Sequence, residues 1–197
     1  MRQYTDESSD SSGDHVDHVM AQWQTVRPDL DIAPVAVVAR LGRATAYIDA
    51  GINGRLAEFG LTRERWDVLA SLRRSGPPHR LSPTQLYRAL MRTSGAMTHR
   101  LASLERRGLI KRVPDPHDGR GLLVELTANG LRLVDRVAPL HMANELSLVS
   151  ALDSEEQLAL SSLLRKMLFG FEREQPVPPP SGRGGRRRRH RRGTRIL

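Results

Sequence analysis

Residues 94–130 read SGAMTHRLASLERRGLIKRVPDPHDGRGLLVELTANG, and their order decides the fold. Met97, Leu101 and Leu104 recur at helical spacing. Gly95, Thr98, His99 and Ala102 fall off that stripe, and all are small or polar. This is an amphipathic helix whose outer face can approach another surface closely. It is expected to run from Thr93 or Ser94 to Gly108, a residue suited to a helix stop. Leu109 to Val113 then reads as a short strand, and the alternation Leu122, Val124, Leu126 as a second. Pro114 to Gly121 between them reads as a hairpin tip longer than a tight turn. Thr127 caps the next helix, with Leu126 and Leu131 in hydrophobic-staple positions. Gly130, inside that helix's first turn, is read as permitting close packing.

A helix precedes this segment. Ser82-Pro83-Thr84-Gln85 is a capping box with proline at the first helical position, and Arg92-Thr93-Ser94-Gly95 interrupts the helix by residue 92. Further upstream, a helix follows Asp31, with Pro34 in its first turn. It carries one apolar stripe of Val35, Val38, Leu41, Ile48, Ile52, Leu56 and Phe59, and Gly60 stops it. Another opens at Thr62, flanked by Leu61 and Trp66 as a staple, and ends at Gly76-Pro77-Pro78. A last helix starts with the box Asp153/Glu156 and carries Leu160, Leu163, Leu164, Met167, Leu168 and Phe171. The prediction is therefore six helices and one hairpin: mainly α with a small β-hairpin wing.

Composition agrees and excludes. Of the 197 residues, 39% are hydrophobic and only 4% aromatic, so the core is Leu/Val/Ala-built, which favours helices. There is no cysteine, which removes disulfides, Cys-based zinc sites and thiol switches. No apolar run reaches the roughly 18 residues of a membrane span. The first residues, MRQYTDESSDSSGDH, are acidic and lack the apolar core of a secretory signal. A cytoplasmic protein is the expectation. Residues 1–31 read as an acidic, largely disordered extension, 32–173 as the folded body, and 174–197 as a disordered Pro/Arg-rich tail.

The net charge of +9 is clustered. Residues 176–197 hold eight Arg and no acid, and residues 82–120 hold eight basic side chains against three acidic. Such clustering fits either a nucleic-acid footprint or a solvated helix face. The order helix, turn, helix, hairpin favours the first. A helix with a small, polar face can approach base edges in the major groove, and an Arg on a hairpin tip can enter the minor groove.

Residues 94–130 resemble the signature of the MarR (multiple antibiotic resistance regulator) family of winged helix-turn-helix transcription factors. The matching residues are Leu104-Glu105-Arg106-Arg107-Gly108-Leu109-Ile110, then Asp118-Gly119-Arg120, then Leu126-Thr127-Ala128-Asn129-Gly130. The resemblance extends over about 32–173 through the six-helix layout. It implies a DNA-binding lobe at 82–126 and dimerisation helices at 32–60 and 127–173. It implies a homodimer on double-stranded DNA, on a pseudo-palindromic operator, and mostly repression released by small phenolic or other aromatic ligands. Recognition-helix contacts would come from Thr93, Ser94, Gly95, Thr98, His99 and Arg100, and wing contacts from Arg120 with Asp118 as its brace. His99 stands where many members have Arg, so either the base readout differs or Arg100 or Arg92 supplies the cation. Thr93 and Ser94 also read simply as helix caps.

The remaining features are less pointed. Arg43, Tyr47, Trp66 and His141 are candidate lining for an effector pocket, although Trp66 is better explained as a staple and core residue. His15 and His18 have metal-ligand spacing but no third ligand, so no metal or cofactor is expected. No nucleophile–base pair or phosphate loop is present, and the reading is of a regulator and not an enzyme. A ligand-insensitive or architectural DNA binder relying on the Arg-rich tail is the alternative. The two differ in specificity, since an operator specialist prefers its site by about 10³-fold or more.

Overall fold

The structure is a computed structural model, and it describes residues 13–90 and 97–174. Among these, seven helices and three short strands follow in the order α1 (His15–Val26), α2 (Ala33–Ala57), α3 (Arg63–Arg74), β1 (Arg80–Leu81), α4 (Pro83–Ala89), α5 (Met97–Arg106), β2 (Ile110–Asp115), β3 (Asp118–Leu126), α6 (Ala128–Leu148) and α7 (Ser154–Glu174). Six of the helices answer to the six expected. The chain divides into two compact units, one comprising residues up to Arg63 with Val137–Leu148, the other Glu64–Arg136 with the residues from Val149.

The first unit contains the element that the sequence reading missed. Part of the stretch expected to lack structure is helix α1. Asp14 caps it in a box: its carboxylate accepts from the Val16 and Asp17 amides at 2.8 and 3.1 Å, and Asp17 accepts from the Asp14 amide at 2.8 Å. Val16 is buried, and α1 packs against α2. The Arg40 guanidinium on α2 clamps the cap, at 2.9 Å from Asp14 and 2.6 Å from Asp17. Its hydrogen bond holds the Asp14 carboxyl below the usual carboxylate value. Serine-rich, acidic composition upstream hid this helix, because its anchor lies 26 residues away in the chain.

Helix α2 starts close to the expected place. The Asp31 carboxylate accepts from the Ala33 amide at 3.0 Å, although the cap position is occupied by Ile32, and Pro34 lies in the first turn. Along its apolar stripe Ile52 and Leu56 are buried, Val35, Leu41 and Ile48 half-buried and Val38 exposed; Val37 beside the stripe is exposed as well. Gly60 follows in the left-handed region, at φ 65°.

The second unit is built round α3, where Trp66, Val68, Leu69 and Leu72 are all buried. Leu86, Leu101, Leu104, Ile110, Val124 and Leu126 complete its core. The three strands form an antiparallel sheet in the order β1-β3-β2. The predicted capping boxes are in place at both sites: Ser82 with Gln85 (2.8 and 3.2 Å) and Asp153 with Glu156 (both 2.9 Å). Helix α7 remains open along much of its apolar surface, with Leu158, Leu163, Phe169 and Phe171 exposed.

Candidate nucleic-acid interface

Helix α5 and the β2–β3 hairpin share one root. Leu101 and Leu104 are buried beneath α5, while Thr98, His99 and Arg106 are exposed and Arg100 and Ala102 half-buried. Thr98, Ala102 and Arg106 are spaced by four and so share a face. Arg106 was not singled out from sequence, and this spacing is the signal that finds it. Thr93, Ser94 and Gly95 lie outside the described residues.

The hairpin is longer than its sequence suggested. Strands run to Asp115 and from Asp118, so the tip is reduced to Pro116-His117, with the His117 amide donating to the Asp115 carboxylate at 2.9 Å. Pro114 pairs with Leu122, yet Asp115 pairs with Asp118. Residues 119–121 are therefore a bulge on β3, and it is there that the chain carries Arg120. A bulge re-aims side chains near a sheet edge. Gly121 sits tightly in it: a Cβ at that position would lie 3.0 Å from the Asp118 carboxylate and 3.1 Å from the Asp115 Cβ. Asp118 is exposed at the start of β3, and the Arg120 side chain lies outside what is described.

Carboxylates hold several of the cations around this hairpin. Register places Arg80, Glu125 and Lys111 side by side across the three strands. Glu125, only 14% exposed, pairs with Arg80 at 3.1 Å and with Lys111 at 2.9 Å. On α5, Glu105 pairs with Arg112 of β2 at 3.3 Å and so links helix to hairpin. These pairings join residues distant in sequence, which is why they could not be read from it.

The root itself is a compact node. Gly108 takes φ 65° between α5 and β2. The Thr127 hydroxyl donates to the Gly108 carbonyl at 2.6 Å and accepts from the Gly130 amide at 3.0 Å. The Thr127 amide donates to the Leu109 carbonyl at 3.1 Å. A Cβ on Gly130 would stand 2.0 Å from that same carbonyl oxygen. Close packing at Gly130, expected from sequence, is therefore a steric requirement.

The other candidate residues are dispersed. Arg43 and Tyr47 are one turn apart on α2 and exposed. His141 is buried on α6, with Nε2 3.2 Å from Glu145. Trp66 belongs to the second unit and is buried in its core. His18 contacts Gln22 at 3.1 Å, and the described residues contain no group of three or more potential metal-ligating His, Asp or Glu. No described helix is long and apolar enough to cross a membrane.

A short capped helix, a second helix with a polar outer face and a hairpin braced against it define the winged helix-turn-helix class of DNA-binding regulators. A family model described as the MarR family matches residues 59–121. The chain is 36% identical over 152 residues to the HTH-type transcriptional regulator PecS of Dickeya dadantii, covering 77% of this chain and 92% of that protein. The chain belongs to the MarR family. Its fold resembles that of Sco3205, a MarR family regulator from Streptomyces coelicolor solved in complex with DNA (TM-score 0.66, 26% identity, 73% and 90% of the two chains). It also resembles Bordetella bronchiseptica BpsR, whose DNA binding is regulated by 6-hydroxynicotinic acid (TM-score 0.61, 29% identity, 66% and 91%).

Proposed function

We propose that the protein acts as a homodimeric repressor on a pseudo-palindromic operator and that a small aromatic ligand releases it. The observation that carries the reading is the exposed Thr98-His99-Arg106 surface of α5, rooted together with a bulged hairpin that bears Arg120. Helix α5 enters the major groove, and the hairpin lies over the neighbouring minor groove, with Arg120 inserted there and Asp118 bracing it. Thr93, Ser94 and Gly95, which precede α5 in the sequence, and Arg100 on α5 are the further contacts of this reading.

Dimerisation is supported by apolar surface that the single chain leaves open on α2 and α7, at Val37, Val38, Leu158, Leu163 and Phe171. A twofold axis then sets two α5 helices on half-sites about 10 bp apart. Repression follows the pattern the family resemblance implies. The effector reading draws on BpsR, whose named ligand is a small aromatic acid. Arg43, Tyr47 and His141 are retained as candidate effector contacts, and Trp66 as a structural residue.

The test is a binding titration on an operator selected from random duplexes. Wild type is expected to prefer that operator to random DNA by about 10³-fold or more at physiological salt. His99→Ala and Arg120→Ala are each expected to lose roughly 5- to 150-fold on the operator, the range of one good base contact. Equal binding of wild type and both variants would remove α5 and the hairpin from the interface.

A further inference from the structure

We infer that Thr127 is a positioning residue for DNA recognition: its hydroxyl sets the spacing between helix α5 and the β2–β3 hairpin. The inference rests on the reading of those two elements as the DNA-contacting arms. The α5 arm ends at Arg106, and the β2 arm starts at Ile110, so the chain from Arg107 to Leu109 is the only covalent joint between them. The Gly108 and Leu109 amides of this joint close the end of α5 on the Glu105 and Leu104 carbonyls at 2.8 and 3.1 Å, and the Glu105–Arg112 pair spans it; what these bonds leave to be held is the carbonyl side of the joint, centred on a glycine at φ 65°.

Thr127 is the first residue after β3, the strand that bears the bulge. Its hydroxyl donates to the Gly108 carbonyl at 2.6 Å, and its amide donates to the Leu109 carbonyl at 3.1 Å. Two consecutive carbonyls of the α5–β2 joint are thus pinned by one residue at the base of β3. The pin is itself held, because the same hydroxyl oxygen accepts from the Gly130 amide at 3.0 Å. A hydroxyl has one proton to donate and lone pairs to accept with, so it serves both bonds at once. A cap alone needs only the acceptor; the donation to Gly108 is additional. Because Thr127 also starts α6, any rotation of that helix's first turn is transmitted to the joint.

Removing the hydroxyl leaves both arms intact and every phosphate-facing charge in place, but loosens the angle between them. Sequence-specific affinity needs both arms in register, whereas non-specific affinity depends on charge. Thr127→Val keeps shape and removes the hydroxyl, Thr127→Ala removes it without the second methyl, and Thr127→Ser restores it. Val and Ala variants are expected to lose about tenfold on a selected operator, as much as one disturbed base contact, and less than twofold on random duplex. The Ser variant is expected to bind the operator like wild type. An Ala variant that folds by circular dichroism carries the test where the Val variant does not.

The chain has no cysteine, so introduced pairs at Arg106 and His117 can be spin-labelled cleanly and diluted with unlabelled protein. The distance distribution between them, measured without DNA, is expected to broaden in Thr127→Val or Thr127→Ala and to return in Thr127→Ser. An unchanged distribution overturns the positioning role. Equal losses on operator and random duplex, or a loss in Thr127→Ser as large as in Thr127→Ala, also overturn it. A wild-type protein with no preference for any duplex would instead defeat the DNA reading, and the distance measurement stands apart from that result.

Discussion

Gly130→Ala reverses the usual effect of its substitution. In an exposed helix, alanine for glycine stabilises by about 1 kcal/mol. At Gly130 the new Cβ would lie 2.0 Å from the Leu109 carbonyl oxygen, and backbone cannot yield as a side-chain tip can. An ordinary Cβ contact is 3.4 Å or longer, so the first turn of α6 must move by about 1.4 Å. That displacement breaks two hydrogen bonds of the node, Thr127 to Leu109 and Thr127 to Gly108. Each is worth about 1 kcal/mol net, and overpacking adds roughly 1–3 kcal/mol. Less the propensity gain, Gly130→Ala is expected to destabilise by about 2–4 kcal/mol. Gly54→Ala is the control, since on α2 a Cβ there meets nothing within 4 Å. It is expected to be neutral or to stabilise by up to about 1 kcal/mol. Urea denaturation followed by circular dichroism, at one fixed protein concentration, reads both variants. A Gly130→Ala variant as stable as Gly54→Ala would refute the node geometry.

Three further outcomes are expected. Ser82→Ala removes the cap of the short helix α4 and should cost about 1 kcal/mol of unfolding free energy, read in the same denaturation assay; an unaltered midpoint would count against the box. The Asp14 carboxyl is held below its ordinary value, so its contribution is present above the unfolded value and is lost as pH falls through the folded one. Amides of α1 should therefore lose exchange protection below about pH 4, and at neutral pH in Arg40→Ala; protection that survives both would show that Val16 alone holds the helix. Deleting residues 176–197 removes eight Arg and should weaken binding to random duplex and flatten its salt dependence; an unchanged slope would exclude the tail from DNA.

Local signals in the chain translated well. Ser82 with Gln85, Asp153 with Glu156 and Thr127 with Gly130 are caps written within four residues, and each forms as read. The hairpin was misjudged for a topological reason. Pro114 and Pro116 are turn residues on their face, so the strands were expected to stop short of them. Yet β2 is an edge strand, and a proline's missing N–H costs little on an edge. Strand β1 was invisible because its two residues become a strand only by pairing with Val124 and Glu125, more than forty positions away. Helix α1 was legible and passed over: Val16, Val19, Met20, Trp23 and Val26 recur at helical spacing, but the acidic, serine-rich run before them coloured the reading of the whole stretch, and the clamp by Arg40 lies 26 residues away.

The same distinction bears on how charge should be counted in the proposed interface. By composition, residues 82–120 offer eight basic side chains against three acidic, which reads as a strong phosphate-binding surface. Geometry divides that total. Lys111 is paired with Glu125 and Arg112 with Glu105, while Glu125 also engages Arg80 from outside the stretch. An exposed cation already beside a carboxylate releases fewer counterions on meeting phosphate, because part of its charge is neutralised before binding. The salt dependence of operator binding by the tail-deleted protein should therefore correspond to fewer contacts per protomer than eight. Glu125→Gln should steepen it, since the substitution leaves Arg80 and Lys111 without their shared counter-charge. A steeper slope on random duplex with a smaller gain on the operator would mean that Glu125 trades affinity for discrimination. That role concerns the specificity of the regulator, and a tally of basic residues cannot express it.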